Sequence, residues 1–195
     1  MKNKVEELIT EELLDQQLES RNLVREIGMP NKKFGFDLPM SHFLKLMYVH
    51  FTSQSYGSRI ENRIIQENKL TKVPSSFDKG DAKTKLDKYG EIKISFKNTK
   101  GDFSFVQIRP HQKCHFYLLQ AIDENFKPYT FIVTIDEIDD VLKEFKATNC
   151  HGVSKNKKDV SQEELRFTVS HNSAGWSYLC DNFLCNDLNT KLMNI

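Results

Sequence analysis

The sequence predicts a mixed α/β (α+β) domain, with a central mixed sheet of about four or five strands flanked by helices. Two observations carry that expectation. Residues 90–135 hold four short runs rich in β-branched and aromatic residues, GEIKISF, DFSFVQIR, CHFYLLQAI and YTFIVTI, the first pair separated by KNTKG and the last by DENFKP. Before and after them stand segments whose apolar residues recur at three- and four-residue spacing, the helical period. The 195 residues suit one domain with a small helical appendage, and a hydrophobic content of 38% with 14 phenylalanines can fill a core. We expect an N-terminal helical region over residues 1–52 packed on a core over residues 53–195.

Taken in order, residues 3–27 read as a helix, with Val5, Leu8, Ile9, Leu13, Leu14, Leu18 and Leu23 as its stripe and Gly28-Met29-Pro30 as its stop. A short helix from Pro39 to Phe51 follows, carrying Phe43, Leu46, Met47 and His50 at helical spacing, which makes His42 and His50 helix-surface residues. Tyr56 to Leu70 reads as a third helix, with Ser58 as its cap and Ile60, Ile64 and Ile65 facing inward. Residues 72–89 form a polar loop or partly ordered strand. After the four β runs, IDEIDDVLKEFKA is amphipathic, with Ile138, Val141, Leu142 and Phe145 inside and Thr134 or Asp136 as cap; its acids at 136, 137, 139 and 140 suit a helix start. A lysine-rich loop at 149–161, a strand LRFTVS and a helix from Trp176 to Leu184 close the chain, with Trp176 in the core.

The chemistry concentrates around Asp81, which is followed after nine residues by Glu91-Ile92-Lys93 at the start of GEIKISF. Strand alternation puts Glu91, Lys93 and Ser95 on one face and Ile92, Ile94 and Phe96 on the other. The apolar face can bury, leaving the acid and the lysine at a solvated edge, where Asp81 can fold back to share a cation with Glu91. Hard cations such as Mg²⁺ take one or two protein carboxylates with waters. A lysine nearby can orient the attacking water or neutralise charge on a phosphoryl oxygen. The bland alternative is an exposed Glu–Lys strand face, common on antiparallel sheets and frequent by chance in a chain that is 28% charged. Asp78 competes with Asp81 for the first ligand position.

GDAKTKLDKYGEIKISF resembles the signature of the PD-(D/E)xK nuclease superfamily, carried by many type II restriction endonucleases, over roughly residues 61–145. It departs in having Gly80 where the pattern has proline. The resemblance implies a restriction-endonuclease-like core in which Asp81 and Glu91 bind metal and Lys93 assists the nucleophile. It also implies an acid on a preceding helix, for which Glu61 is the candidate, with a first-turn dipole-favoured acid as the alternative. A polar residue after the Glu-x-Lys strand is a further implied feature. If the second β run pairs with the first about KNTKG, Gln107 lies near Lys93 and takes that role. Arg109 would then lie near Glu91, in a salt bridge there or with a nearby acid, or on a phosphate.

The expected activity is Mg²⁺-dependent hydrolysis of double-stranded DNA at specific sites, with Mn²⁺ as a substitute metal, by a homodimer whose cognate DNA methyltransferase is a separate protein. A structure-specific repair or junction nuclease of the same superfamily is the second reading. A catalytically silent DNA-binding module is the third. Net charge is only +1, yet residues 79–100 hold seven lysines against three acids, a local surface suited to phosphates or simply a solubilising loop. Lys155, Lys157 and Lys158 are further DNA-contact candidates, with a flexible surface loop as the alternative.

No apolar run is long enough for a bilayer and no signal peptide opens the chain, so a cytoplasmic protein without membrane contact is expected. Cys114, Cys150, Cys180 and Cys185 form no CxxC pair and read as reduced thiols; with His115, His151 and His171 they lack any zinc-finger spacing. No GxSxG, Walker or Rossmann glycine motif competes.

Overall fold

The computed structural model describes residues 33–74, 76–150, 164–193 and 195. The expected helix at 3–27 and the candidates Lys155, Lys157 and Lys158 lie outside the described residues. The chain divides into two compact units, residues 1–66 and 67–195. Glu61 lies in the first of these units.

In that unit, helix α1 (Met40–His50) starts from Pro39 and buries Phe43, Leu44, Leu46 and Met47. Helix α2 (Ser53–Glu67) starts earlier than expected, so Ser58 is not its cap: the Ser58 hydroxyl donates to Ser55 O within the helix (3.3 Å). Ile60, Ile64 and Ile65 are buried as the stripe predicts. Two arginines are buried with them. Arg63 donates to Leu38 O (2.7 Å) and sits over the Phe43 ring, while Arg59 sits over Phe51. Stacking on aromatic faces is how a guanidinium tolerates such burial.

The second unit is mixed α+β. Strands β1 (Thr71–Lys72), β2 (Ala82–Lys83), β3 (Tyr89–Phe96), β5 (Phe116–Ile122) and β6 (Pro128–Thr134) form a five-stranded sheet in the order β1-β2-β3-β5-β6. Strand β4 (Asp102–Ile108) leaves it for a second sheet, β4-β8-β7, with β7 (Thr148–Asn149) and β8 (Leu165–Ser170). Helices α3 (Ile138–Glu144), α4 (Ala174–Phe183) and α5 (Leu188–Leu192) complete the described elements. All pairs in the larger sheet are antiparallel except β3 with β5.

That parallel pair corrects the expected β-meander. The KNTKG turn forms, with Gly101 N donating to Asn98 O and the Asn98 side chain accepting from Lys100 N and Asp102 N. The strands on either side do not ladder together: β3 pairs with β5 along Gly90–Phe96 and with β2 at Tyr89 and Gly90, and β4 pairs with β8. Strand β4 crosses over β3 and joins β8, and the contact it keeps is Ser104 N donating to the Ser95 hydroxyl (2.7 Å).

The core lies between the sheets and helices α3 and α4. Phe103, Phe105, Phe131, Phe167, Leu119, Val133, Val141, Leu179 and Trp176 are all buried there. The Trp176 indole stacks on Phe103 at 5.0 Å and meets Phe131 edge-on at 5.4 Å, which places it in the core as its spacing predicts. Segment 184–185 covers the outer edge of β6, through the Phe131–Leu184 bridge and Cys185 N donating to Thr130 O. Neither Thr134 nor Asp136 caps α3. Glu137 is its N-cap, and its carboxylate accepts from both Thr134 N and the Thr134 hydroxyl. Helix α4 is capped by Ser173, whose hydroxyl accepts from Trp176 N (3.1 Å). Ser173→Ala should cost about 1 kcal/mol, measurable as a lower urea midpoint with an unchanged m-value.

Candidate functional site

Two glycines set the site. Gly80 has φ of +111°, and a Cβ there would stand 2.6 Å from Gly90 O; a Cβ on Gly90 would stand 2.2 Å from ring carbons of Phe116. Bare backbone at both positions lets the chain before β2 close on β3, so that Asp81 N donates to Gly90 O (2.9 Å). The last paired positions of β2 and β3 are Ala82 with Gly90, which Asp81 precedes and Glu91 follows along their own strands. The Asp81 carboxylate accepts from Ile92 N (2.9 Å). Asp78, the competing acid, turns outward and pairs with Lys113 (2.9 Å), which holds its carboxyl below the usual range.

Glu91 and Lys93 do share a face, and they pair directly: Lys93 Nζ lies 2.6 Å from Glu91 Oε1. They are not at a solvated edge. β3 is the middle strand, and in the parallel register Glu91, Lys93 and Ser95 stand beside Tyr117, Leu119 and Ala121, on the face turned to the second sheet. The Glu91 side chain is accordingly only 7% exposed and that of Lys93 14%. The other oxygen, Glu91 Oε2, accepts from Gln112 Nε2 (2.7 Å). Gln112 Oε1 is buried and has no hydrogen-bond partner among the described residues.

Glu91 also acts on its surroundings. Burial, and then the Glu91 charge, push the Cys114 thiol up to about 11, so it stays protonated near neutral pH and is no nucleophile. Burial likewise raises Tyr117, whose hydroxyl donates to Arg109 O (2.6 Å). The Arg109 guanidinium donates to Glu164 through Nε and Nη2 (3.1 and 2.7 Å), which raises its pKa, with Glu91 a smaller contributor. The nearby acid that Arg109 takes is thus Glu164.

β3 sets Glu91 against Lys93, and the Asp81 carboxylate bonds the backbone N–H of Ile92 between them. Gln107 is exposed in the irregular part of the β4–β8 ladder, with φ of +56° and its N–H donating to Cys150 Sγ (3.2 Å). The amide at the site is Gln112 instead. Its position follows from parallel pairing, which sets the loop before β5 beside the start of β3. No periodicity in PHQKC marks it. Glu61 is on α2, half-buried, in the first unit.

The donors suit a hard cation that takes one or two carboxylates and waters. Asp81 and Glu91 are the residues that could supply carboxylates, and Gln112, bonded to Glu91, carries a buried amide oxygen with no hydrogen-bond partner among the described residues. No cluster of three or more His, Cys, Asp or Glu side chains that could hold a metal occurs among the described residues. No described helix is long and apolar enough to cross a membrane. Comparison of the chain with protein-family models and with curated protein sequences found no match.

Proposed function

We propose that this chain is a Mg²⁺-dependent endodeoxyribonuclease that hydrolyses double-stranded DNA, acting at specific sequences as type II restriction enzymes do, as a homodimer. The observation that carries the reading is the convergence of Asp81 on the backbone of β3 beside a buried Glu91 whose oxygen is 2.6 Å from Lys93. A buried carboxylate–ammonium pair contributes little net stability compared with apolar residues of the same size, so its placement needs another reason.

In this reading Asp81 and Glu91 hold the cation, with Mn²⁺ as a substitute. Lewis-acid activation of water and of a phosphoryl oxygen is what the bound ion supplies. Lys93 neutralises Glu91 in the resting protein and stands ready to orient water or to meet negative charge on the phosphate. Gln112 fixes the rotamer of Glu91 through its second oxygen. Lysines of residues 79–100 meet the flanking phosphates.

The test is digestion of supercoiled plasmid with Mg²⁺ or Mn²⁺. Discrete bands support a sequence-specific enzyme, and nicking confined to branched or frayed substrates supports a structure-specific nuclease of the same superfamily. No cleavage by wild type with either metal overturns the catalytic reading and leaves a DNA-binding module. Glu91→Gln is expected to abolish cleavage while DNA affinity in EDTA changes less than about twofold.

A further inference from the structure

Next to the carboxylates lies a row of rings that the proposed chemistry does not use. Tyr89 begins β3, two residues before Glu91, and His115 precedes β5; their backbones are locked, with His115 N donating to Tyr89 O (2.7 Å) and Tyr89 N to the His115 Nδ1 (3.0 Å). The rings stack, Phe77 on Tyr89 at 6.4 Å and 26° and Tyr89 on His115 at 6.1 Å and 20°. Lys79 Nζ stands 5.6 Å from the Phe77 centroid and 4.9 Å from that of Tyr89, and Lys83 Nζ is 5.9 Å from Tyr89. Phe77 ends the row and is 49% exposed. A phenylalanine kept half in water, fixed by a ring and an ammonium rather than by a core, is arranged for a flat partner.

We propose that Phe77, Tyr89 and His115, with Lys79 and Lys83, form a stacking platform for an unpaired base of the DNA strand cut at the Asp81–Glu91 site. The proposal rests on the nuclease reading and deepens it: in the duplex that is cut, one nucleotide beside the scissile bond leaves the stack and its base lies on the rings. The ligand class follows from charge. Segment 77–89 with Lys113 holds five lysines against three aspartates, and two of those acids, Asp78 and Asp87, are already paired, with Lys113 and Lys83. An excess of ammonium around an open aromatic face fits a polyanion carrying π-faces. Strand spacing supports it as well. Tyr89 and Glu91 are two positions apart on one strand face, about 7 Å, so base and phosphate can belong to neighbouring nucleotides.

The experiment measures binding of the full chain in EDTA by fluorescence anisotropy, to a short single strand, to its blunt duplex and to a single strand of abasic residues. Wild type should bind the natural single strand more tightly than the abasic one, with the blunt duplex as the reference for backbone contacts. Phe77→Ala should weaken single-strand binding about tenfold and leave duplex and abasic binding unchanged, while Phe77→Trp retains it. Lys79→Gln should lower the slope of log affinity against log salt by about one. The platform is overturned if Phe77→Ala binds the single strand like wild type, or if wild type does not distinguish natural from abasic strands. Because metal and cleavage play no part in these titrations, a failed platform leaves plasmid digestion standing, and a chain that never cleaves leaves the binding result intact.

Discussion

Lys93→Met is expected to lose about 3–5 kcal/mol of stability as well as all cleavage, because it strands the Glu91 carboxylate under the second sheet. The pair lies 2.6 Å apart with both side chains largely withdrawn from water. Removing only the ammonium leaves Gln112 Nε2 as the one partner the carboxylate keeps among the side-chain bonds described above. Glu91→Gln should cost less, since Lys93 is the more exposed member and can extend towards water. The double variant Glu91→Gln/Lys93→Met removes both charges and should regain most of the stability lost by Lys93→Met, yet remain inactive. Urea denaturation of the four proteins checks this as a double-mutant cycle. An unchanged midpoint for Lys93→Met would show that the carboxylate reaches solvent and that the pair is not desolvated.

Gly90→Ala should be comparably damaging for a steric reason. Its methyl group would lie 2.2 Å from two ring carbons of Phe116, a ring with no exposed surface, on a strand hemmed in on both edges. Overpacking of that kind costs about 3 kcal/mol or more. Gly90 O is also the acceptor for Asp81 N, so any relaxation moves both carboxylates. Gly90→Ala combined with Phe116→Leu should recover part of the thermal stability. Full stability of the single variant would mean that β3 and β5 separate more readily than their ladder implies.

The elements themselves were largely legible, since helical spacing and β-branched runs are local properties. Helix α4, β8 and the four central strands fall within a few residues of where their patterns put them. The pairing was not legible. KNTKG carries every mark of a hairpin turn and does turn, but a turn fixes only the path of the chain. Which strand β3 lies beside was decided by Phe116–Ile122, a run buried at every position and so free to be flanked on both edges. Glu91 and Lys93, two apart on one strand, pair as alternation implies, and the Asp81 carboxylate reaches Ile92 N on that strand. Gln107, inferred from antiparallel register, did not join them, and Gln112 was overlooked. Burial of Glu91 escaped notice for the same cause: alternation reports two faces without saying that both are covered.

The path of β4 has a consequence for how the molecule is made. The segment linking two parallel neighbours is itself a strand, and its own mate, β8, is synthesised only after Glu164. Until Leu165–Ser170 emerge, Phe103 and Phe105 lack the strand they pair with in the folded protein. A chain cut short in that interval would carry Asp81, Glu91 and Lys93 without the second sheet that covers β3.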